Sequence, residues 1–384
     1  MEKSFESLVG AAGRPASVAE LEAELSALWR SAAENPETRY AVLRSCALTL
    51  VVYVEDEAAG REVNDLISEV MRENPCRAIV VTAERDATPA GLSARISARC
   101  TLPAAGEKEI CCEQVMITAR GEAIAGLDHV VIPLMVSGLP VYLWWRAGRF
   151  SPPPSLWPIL RAATRVLVDS ATFPEPQVDL QNFSGHVRDL GGEVVFTDLN
   201  WARLTPWREL VAQCFDSVET RPYLDRLTEV QIEYEDLSNG ARVQRGQSLL
   251  LAGWLASRLG WEPARESVEG SRIGQPFLLR AGGRSIRIEC RPRRCQTEFA
   301  GTCVSVALKS GGDSPAEFSL ARGSGVNTAT TRMEIPGRPP IERVVRLEPL
   351  EEVRLVNEEI KFAGRDSVYE EALAMVAGMT APGA

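Results

Sequence analysis

Three short apolar segments that end in aromatic or polar residues constrain the fold of this chain most strongly. They lie between residues 139 and 216 and read LPVYLWWR, RVLVDS and EVVFTD. Continuous apolar runs of this length are typical of strands covered on both faces. Helical patterns alternate with them, so the segments predict parallel strands of an α/β sheet. Because α/β proteins bind ligands at the carboxyl ends of such strands, the residues that end these strands form the candidate site.

A region nearer the N-terminus predicts the same architecture. The apolar segment Cys46–Asp56 is followed by a helical pattern over Glu57–Arg72 and by a second apolar strand that ends near Ala83. This order predicts a βαβ unit with parallel strands. Strict alternation of apolar and polar residues over Leu92–Leu102, then a turn and a second strand over Glu109–Ala119, predicts an antiparallel hairpin attached to the sheet.

The pattern changes beyond Tyr223, where short strands are punctuated by Gly, Pro and Ser. We therefore predict an α/β chain with two domains. Residues 1–228 form an N-terminal α/β domain with a mixed, largely parallel sheet and flanking helices, and this domain carries the WWR and LTPWRE motifs. Residues 229–384 form a C-terminal α+β domain with an antiparallel sheet. Thr205 is expected to be the N-cap of a helix over Pro206–Phe215, and a last helix is expected over Asp366–Val376.

Charge and hydropathy exclude several classes of partner. A formal net charge of −10 disfavours nonspecific binding to nucleic acid or to anionic membranes. The sequence contains no apolar run of the ~18 residues that a transmembrane helix needs. Its N-terminus lacks the pattern of a signal peptide, so a cytoplasmic protein is expected. Nine cysteines, an odd number, argue against a secreted disulfide framework, and most are interpreted as small apolar residues within strands or helices.

A catalytic set is missing from the sequence. There is no phosphate-binding GxxxxGK[ST] loop, no GxSxG elbow and no HExxH motif. The two histidines, His129 and His186, lie on apolar helical patterns and are interpreted as partly buried structural residues. We therefore expect no metal site, no bound cofactor and no enzymatic activity.

Aromatic, arginine and aspartate side chains at the strand ends are the candidates for binding a partner. Trp144 and Trp145 are consecutive on a strand and point to opposite faces, so one can be buried while the other faces a crevice or a partner. Arginines here are expected to pair with Asp169 and Asp198, and a structural ion-pair network is an open alternative to a binding site. The candidates are Trp144, Trp145, Arg146, Asp169, Asp198, Trp201, Arg203 and Arg208.

Two cysteines suggest a possible thiol switch. Cys290 and Cys295 flank the basic run RPRR, and neighbouring arginines lower the pKa of a thiol. They could form a regulatory disulfide across a turn, or they could be packed thiols without a role.

The segments LPVYLWWR and DLNWARLTPWRELVAQCFD resemble the glucose-6-phosphate dehydrogenase assembly protein family, OpcA. The segments LAGWLASRLGW and IRIECRP are similar to it more loosely. The resemblance implies a protein without catalytic activity that associates with glucose-6-phosphate dehydrogenase and promotes its active oligomer. It also implies thioredoxin as a further candidate partner, since the family is linked to thioredoxin-dependent control in cyanobacteria. The alternative from the residues alone is an α/β enzyme or sensor that binds a sugar phosphate or nucleotide at the strand ends.

Overall fold

The computed structural model describes residues 3–9, 17–34, 42–101, 109–236, 245–264, 275–294, 301–323, 327–347, 350–362 and 364–381. The α-helices are α1 Val18–Glu34, α2 Glu57–Glu73, α3 Leu127–Leu134, α4 Trp157–Ala162, α5 Pro176–Leu190, α6 Leu199–Arg203, α7 Thr205–Gln213, α8 Gly246–Arg258, α9 Glu352–Lys361 and α10 Ser367–Thr380. The first strands are β1 Lys3–Val9, β2 Val42–Arg44, β3 Leu48–Val54, β4 Cys76–Glu84, β5 Gly91–Thr101, β6 Glu109–Arg120, β7 Val141–Trp145, β8 Arg165–Val168 and β9 Val195–Asp198. The later strands are β10 Leu227–Glu235, β11 Glu262–Pro263, β12 Gln275–Ala281, β13 Arg284–Arg293, β14 Cys303–Ser310, β15 Glu317–Arg322, β16 Thr328–Glu334 and β17 Ile341–Arg346.

The chain divides into two compact units, each made of more than one segment. The first unit contains Met1–Val168, Leu190–Thr197 and Glu352–Gly364. The second contains Asp169–Asp189, Asp198–Glu351 and Arg365–Ala384. The predicted domains were two continuous segments, 1–228 and 229–384. The two compact units have different bounds, because each consists of three separate segments of the chain.

The first unit is built on a sheet of nine strands in the order β1-β5-β6-β4-β3-β7-β8-β9, with β2 paired to β6. The pairs β6–β4, β4–β3, β3–β7 and β7–β8 are parallel, whereas β1 and β5 run antiparallel to their neighbours. Every residue of β3 is buried, as expected for a strand covered on both faces. The prediction of a mixed, largely parallel sheet is confirmed.

The second unit is built on a sheet of eight strands in the order β11-β12-β13-β10-β14-β15-β16-β17. Its described pairs are antiparallel except β10–β13, which is parallel. The connection from β10 passes through α8 before the β12–β13 hairpin, and such a crossover allows the parallel pairing. The α/β fold class with a predominantly antiparallel second sheet is therefore confirmed.

Some local predictions need correction. Thr205 is the first residue of α7 rather than its N-cap, and its hydroxyl accepts a hydrogen bond from Arg208 instead of capping a backbone amide. The helix α9 was not predicted. None of the helices in the described ranges combines the length and apolar character that a membrane span requires.

Candidate functional site

Trp144 and Trp145 lie at the end of β7 and both belong to the core of the first unit. Their exposed fractions are 0% and 1%. The ring of Trp145 stacks on Tyr53 of β3, with ring centroids 4.5 Å apart, and meets Phe150 edge-on at 5.1 Å. The sequence prediction that one tryptophan faces a crevice or partner is wrong, because β7 is covered on both faces and opposite faces are therefore both core.

Arg146 follows the two tryptophans and is held by carboxylates of the same unit. Its Nε and Nη2 donate to the two carboxylate oxygens of Glu352 at 2.9 and 2.8 Å, and Nη2 also donates to Glu62 at 3.1 Å. Burial lowers the pKa of Arg146, but the hydrogen bonds that it donates to these glutamates, together with their negative charges, outweigh burial and raise the pKa above its usual range. With 15% of its side chain exposed, Arg146 forms an ion pair that fastens α9 to the end of β7.

The chain order of the first sheet reverses between β3 and β7, and this position binds ligands in doubly wound folds. A phosphate at such a site needs free backbone amides at the start of the helix that follows the first strand. Here that helix, α2, is preceded by Glu55 and Asp56 and begins with Glu57. The carboxylate of Asp56 accepts a hydrogen bond from the amide of Ala59 at 2.7 Å. The helix start is therefore capped by its own carboxylate and surrounded by negative charge, which disfavours phosphate.

Asp169 and Arg203 form a bidentate ion pair in the second unit. Nη1 and Nη2 of Arg203 donate to the two carboxylate oxygens of Asp169, each at 2.7 Å. Asp169 also accepts from the amide of Ala171 at 3.1 Å. The side chains are 22% and 9% exposed, respectively. The expected pairing of an arginine with Asp169 is confirmed.

Asp198 lies at the centre of a buried hydrogen-bond network. Its Oδ1 accepts from the amides of Ser170 and Asn200, each at 2.9 Å. Its Oδ2 accepts from the hydroxyl of Ser170 at 2.6 Å and from that of Tyr369 at 3.4 Å. Burial raises the pKa of Asp198 to about 6, the charge of Asp169 acts in the same direction, and the bonds from Ser170 and Asn200 oppose the shift. Asp198 is thus satisfied by neighbours of the same unit and not by an arginine.

The network continues through amide side chains. Asn200 Nδ2 donates to the hydroxyl of Ser170 at 3.1 Å, and its Oδ1 accepts from Gln247 Nε2 at 3.0 Å. Gln247 Oε1 accepts from the backbone amide of Cys303 at 2.8 Å. Sequence reasoning did not find Gln247 or Tyr369, since each is far along the chain from Asp198. Chemically, this arrangement fixes the segments after β8 and β9, and the polar atoms named here are bonded to one another.

Trp201 and Arg208 form a cation–π contact. The guanidinium carbon of Arg208 lies 3.5 Å from the ring centroid of Trp201. Trp201 is 3% exposed, and its Nε1 donates to Asp366 Oδ2 at 2.8 Å. Asp366 is also the N-cap of α10, where it accepts from the amide of Tyr369 at 2.9 Å. Trp201 is therefore a packing residue that joins α6 to α10.

The eight candidates divide between the two units. Trp144, Trp145 and Arg146 belong to the first unit, and Asp169, Asp198, Trp201, Arg203 and Arg208 belong to the second. The structure pairs Asp169 with Arg203 and Trp201 with Arg208. A partner-binding role for these residues stays a prediction, and the burial of the tryptophans leaves the arginines as the more accessible members.

The histidines differ from each other in their surroundings. His186 of α5 is half-buried, and burial lowers its pKa while Asp189 opposes the shift. His129 of α3 is exposed, so the prediction that it is partly buried is wrong. Within the described ranges, no three His, Cys, Asp or Glu side chains come together as ligands for a metal ion.

The cysteines form a bond that the sequence did not predict. Cys100 and Cys111 are direct partners across the β5–β6 ladder and form a disulfide. Their interpretation as packed thiols is wrong, and the predicted antiparallel hairpin, which carries a cysteine near the turn on each strand, was the signal that could have found the pair. Cys290 is buried, which raises the pKa of its thiol to about 11. Cys295 lies outside the described residues, so the pairing of Cys290 with Cys295 stays a prediction.

Family models and related proteins both connect this chain with OpcA proteins and glucose-6-phosphate dehydrogenase subunits. Models of the glucose-6-phosphate dehydrogenase subunit N-terminal domain and C-terminal domain match residues 67–184 and 194–373. A protein of Synechocystis sp. is 29% identical over 325 residues, which cover 82% of this chain and 66% of that protein. A protein of Nostoc punctiforme is 29% identical over 334 residues, covering 82% and 67%. Both carry the provisional name OxPP cycle protein OpcA, and this chain spans about two thirds of their length.

Solved structures with a distantly similar course of the chain include two dehydrogenases. Myo-inositol dehydrogenase from Lactobacillus casei, in complex with NAD(H) and myo-inositol, has a TM-score of 0.45 and 10% identity, covering 87% of this chain and 93% of that one. The WlbA dehydrogenase from Thermus thermophilus has a TM-score of 0.40 and 12% identity, covering 87% and 94%. Likeness at this level says nothing about ligand or reaction.

Proposed function

This chain belongs to the OpcA family of glucose-6-phosphate dehydrogenase assembly proteins, and on that basis we propose how it acts. It is a non-catalytic assembly factor and allosteric activator of glucose-6-phosphate dehydrogenase in the oxidative pentose phosphate pathway. The observation that carries the proposal is the match of both dehydrogenase-subunit models, which span residues 67–184 and 194–373.

The geometry of the first unit supports a role without catalysis. At the reversal point between β3 and β7, the side chains of Tyr53, Trp144 and Trp145 are 0–1% exposed and pack into the core. The start of α2 is capped by Asp56. A nucleotide enzyme of this architecture needs an open crevice and free amides at this point. The residues found here contribute stability instead.

The polar residues of the second unit also support a role without catalysis. Ser170, Asp198 and Asn200 would be the polar groups for a sugar phosphate at the strand ends, yet they bond to one another and are 0–1% exposed. Binding a ligand there would require breaking a satisfied buried network, which is costly. The hypothesis of an enzyme or sensor is therefore less well supported than the hypothesis of a protein that docks to a partner.

Activation needs only a preference for one form of the partner. An effector that binds the active oligomer more tightly than the inactive form shifts the population toward the active oligomer. A difference in binding free energy of about 1–3 kcal/mol changes the ratio of the two forms by about 5–150-fold. Surface docking by a protein of this size can supply such a difference without contact to the reacting atoms.

The test combines a binding and a kinetic measurement. The purified chain is mixed with glucose-6-phosphate dehydrogenase of the same organism, and complex formation is followed by analytical ultracentrifugation. The KM for glucose 6-phosphate and kcat are measured with and without the chain. We expect a complex, a larger dehydrogenase oligomer and a lower KM or higher kcat. An unrelated acidic protein of similar charge is the control, and absence of both a complex and a kinetic change contradicts the proposal.

Redox control is a separate part of the proposal, with thioredoxin as the reductant. A thiol with a pKa of about 11, as at Cys290, is largely protonated at neutral pH and exchanges slowly. Thioredoxin reduces disulfides, so such a switch needs an oxidised Cys290–Cys295 pair, and the raised pKa of the Cys290 thiol slows the exchange that would form it. Mass-spectrometric counting of free thiols, before and after thioredoxin treatment, tests this. An unchanged count at these two positions contradicts it.

A further inference from the structure

Among the strands that the structure describes, β17 lies at an edge of the second sheet and carries exposed apolar side chains. It is the last strand in the order of the second sheet and pairs antiparallel with β16, from Met333↔Ile341 to Thr328↔Arg346. Ile341 is 41% exposed and Val344 is 68% exposed. An edge strand presents backbone amides and carbonyls that can pair with another strand, and exposed apolar residues on it favour such pairing. The geometry therefore offers an association surface at β17.

The sequence of β17 determines which partner strand fits it. In a two-fold symmetric antiparallel pair, one residue must face its own copy across the axis. An axis at Glu342 would place two carboxylates face to face, and an axis at Arg343 would place two guanidinium groups face to face. Like charges directly opposite each other destabilise a strand pair. Both of these registers are therefore disfavoured.

A two-fold axis at Val344 places no like charges of Glu342, Arg343 or Arg346 opposite each other. The two valines then face each other at the centre, and Glu342 lies opposite Arg346 on both sides of the axis. Apolar pairs and pairs of opposite charge stabilise antiparallel strands. Both Glu342 and Arg346 are exposed, and Glu342 also lies opposite Arg332 of β16 within the same chain. The strand is thus complementary to a second copy of itself in the register centred on Val344.

We propose that two copies of this chain associate through β17. The strands pair antiparallel, Val344 faces the partner subunit's Val344, and Glu342 faces the partner subunit's Arg346. β17 itself carries both the negative charge of Glu342 and the positive charge of Arg346 that this register pairs. This favours a second copy of the chain over an unrelated strand as the occupant. One strand of six residues buries a small area, so the association is expected to be weak and reversible.

The test is sedimentation velocity of the full chain over a concentration series, without any other protein present. The wild type is expected to shift from monomer to dimer as the concentration rises. E342R and R346E each place like charges opposite one another and are expected to weaken association about tenfold or more. The double variant E342R/R346E exchanges the charges across the axis and is expected to restore association. V344K places two ammonium groups at the axis and is expected to abolish it.

The matched control is V218K, since Val218 is 82% exposed and lies outside β17. It is expected to associate like the wild type, and circular dichroism checks that all variants remain folded. A wild type that stays monomeric at its solubility limit overturns the proposal. The proposal is also overturned if V344K weakens dimer formation no more than V218K does. It is overturned as well if E342R/R346E associates no more strongly than E342R alone. Because no dehydrogenase is present, these outcomes are independent of the proposed function.

Discussion

Arg203 binds Asp169 with both terminal nitrogens, at 2.7 Å from each carboxylate oxygen. The two residues follow different strands, β8 and the short strand β9, and come together within the second unit. Asp169 also accepts the amide of Ala171, so the ion pair fixes both the turn after β8 and the helix α6. A bidentate pair of this kind depends on the planar fork of the guanidinium group.

Replacing Arg203 tests whether this pair stabilises the fold. R203A leaves a mostly buried carboxylate without its charged donor, so we expect the free energy of unfolding to fall by about 2–3 kcal/mol. R203K keeps the charge but loses the fork geometry, and a smaller loss of about 1 kcal/mol is expected. Urea denaturation measures both. The control is R188A, whose side chain is 80% exposed and which should change stability by less than about 0.5 kcal/mol. Equal effects of R203A and R188A would show that the pair contributes nothing.

Asp198 predicts a pH dependence of stability. Its pKa is raised by burial from 3.8 to about 6 in the folded chain. The folded state therefore holds the proton more tightly than the unfolded state does, and this contribution is complete below pH 3.8 and is lost as the pH rises through about 6. A shift of this size corresponds to about 3 kcal/mol. The stability of the wild type, relative to D198N, should fall by up to this amount between about pH 4 and 7.

The measurement is chemical denaturation of both proteins over that pH range, with the carboxyl carbon of Asp198 followed by NMR in the wild type. The NMR titration gives the pKa even where D198N folds poorly. A midpoint near the ordinary value of an aspartate would contradict the account of a desolvated carboxylate.

Trp145 tests the conclusion that the tryptophan pair belongs to the core. W145A removes the ring that stacks on Tyr53 at 4.5 Å, and a loss of about 3–5 kcal/mol is expected. V218A, at a residue that is 82% exposed, should change stability by less than about 0.5 kcal/mol. Thermal and urea unfolding measure both variants. If W145A keeps full stability but loses binding to the dehydrogenase, Trp145 is a surface residue and its assignment to the core is wrong.

Gly253 permits the close approach of α8 and α10. A Cβ atom at this position would lie 2.4 Å from the carbonyl oxygen of Ala372 and 2.7 Å from Val376 Cγ2. Because a backbone atom cannot move aside cheaply, G253A should destabilise the chain by about 1–3 kcal/mol or more. At Gly192 an added Cβ would meet nothing within 4 Å, so G192A is the control and should be nearly neutral. Urea denaturation distinguishes the two, and equal stabilities would contradict the close helix packing.

Periodicity of apolar residues was sufficient to predict the parallel strands of the βαβ region, the β5–β6 hairpin and most helices. It was not sufficient for the tryptophan pair. Consecutive residues do point to opposite faces of a strand, but a central parallel strand has no solvent-exposed face, so the alternation carries no information on exposure there. The helix α9 was not predicted, although its buried residues Val353, Val356 and Ile360 lie at helical spacing; it packs on α2.

The candidate site was predicted only in part. An arginine partner for Asp169 follows from the rule that charges near strand ends are paired, and the structure identifies it as Arg203. The partners of Asp198 could not be found in the same way. Gln247 and Tyr369 are ordinary residues of α8 and α10, and only the tertiary fold brings them to the network. Composition and spacing give no signal for contacts of this kind.

The central claim is that this chain acts by docking to glucose-6-phosphate dehydrogenase rather than by catalysis. The most direct test is the steady-state rate of the dehydrogenase at a glucose 6-phosphate concentration below its KM, titrated with the purified chain. We predict a saturable rise in rate that depends on the ratio of the two proteins, and no oxidation of the sugar phosphate by the chain alone. A rate that stays flat over the whole titration, or turnover by the chain without the dehydrogenase, would contradict the account.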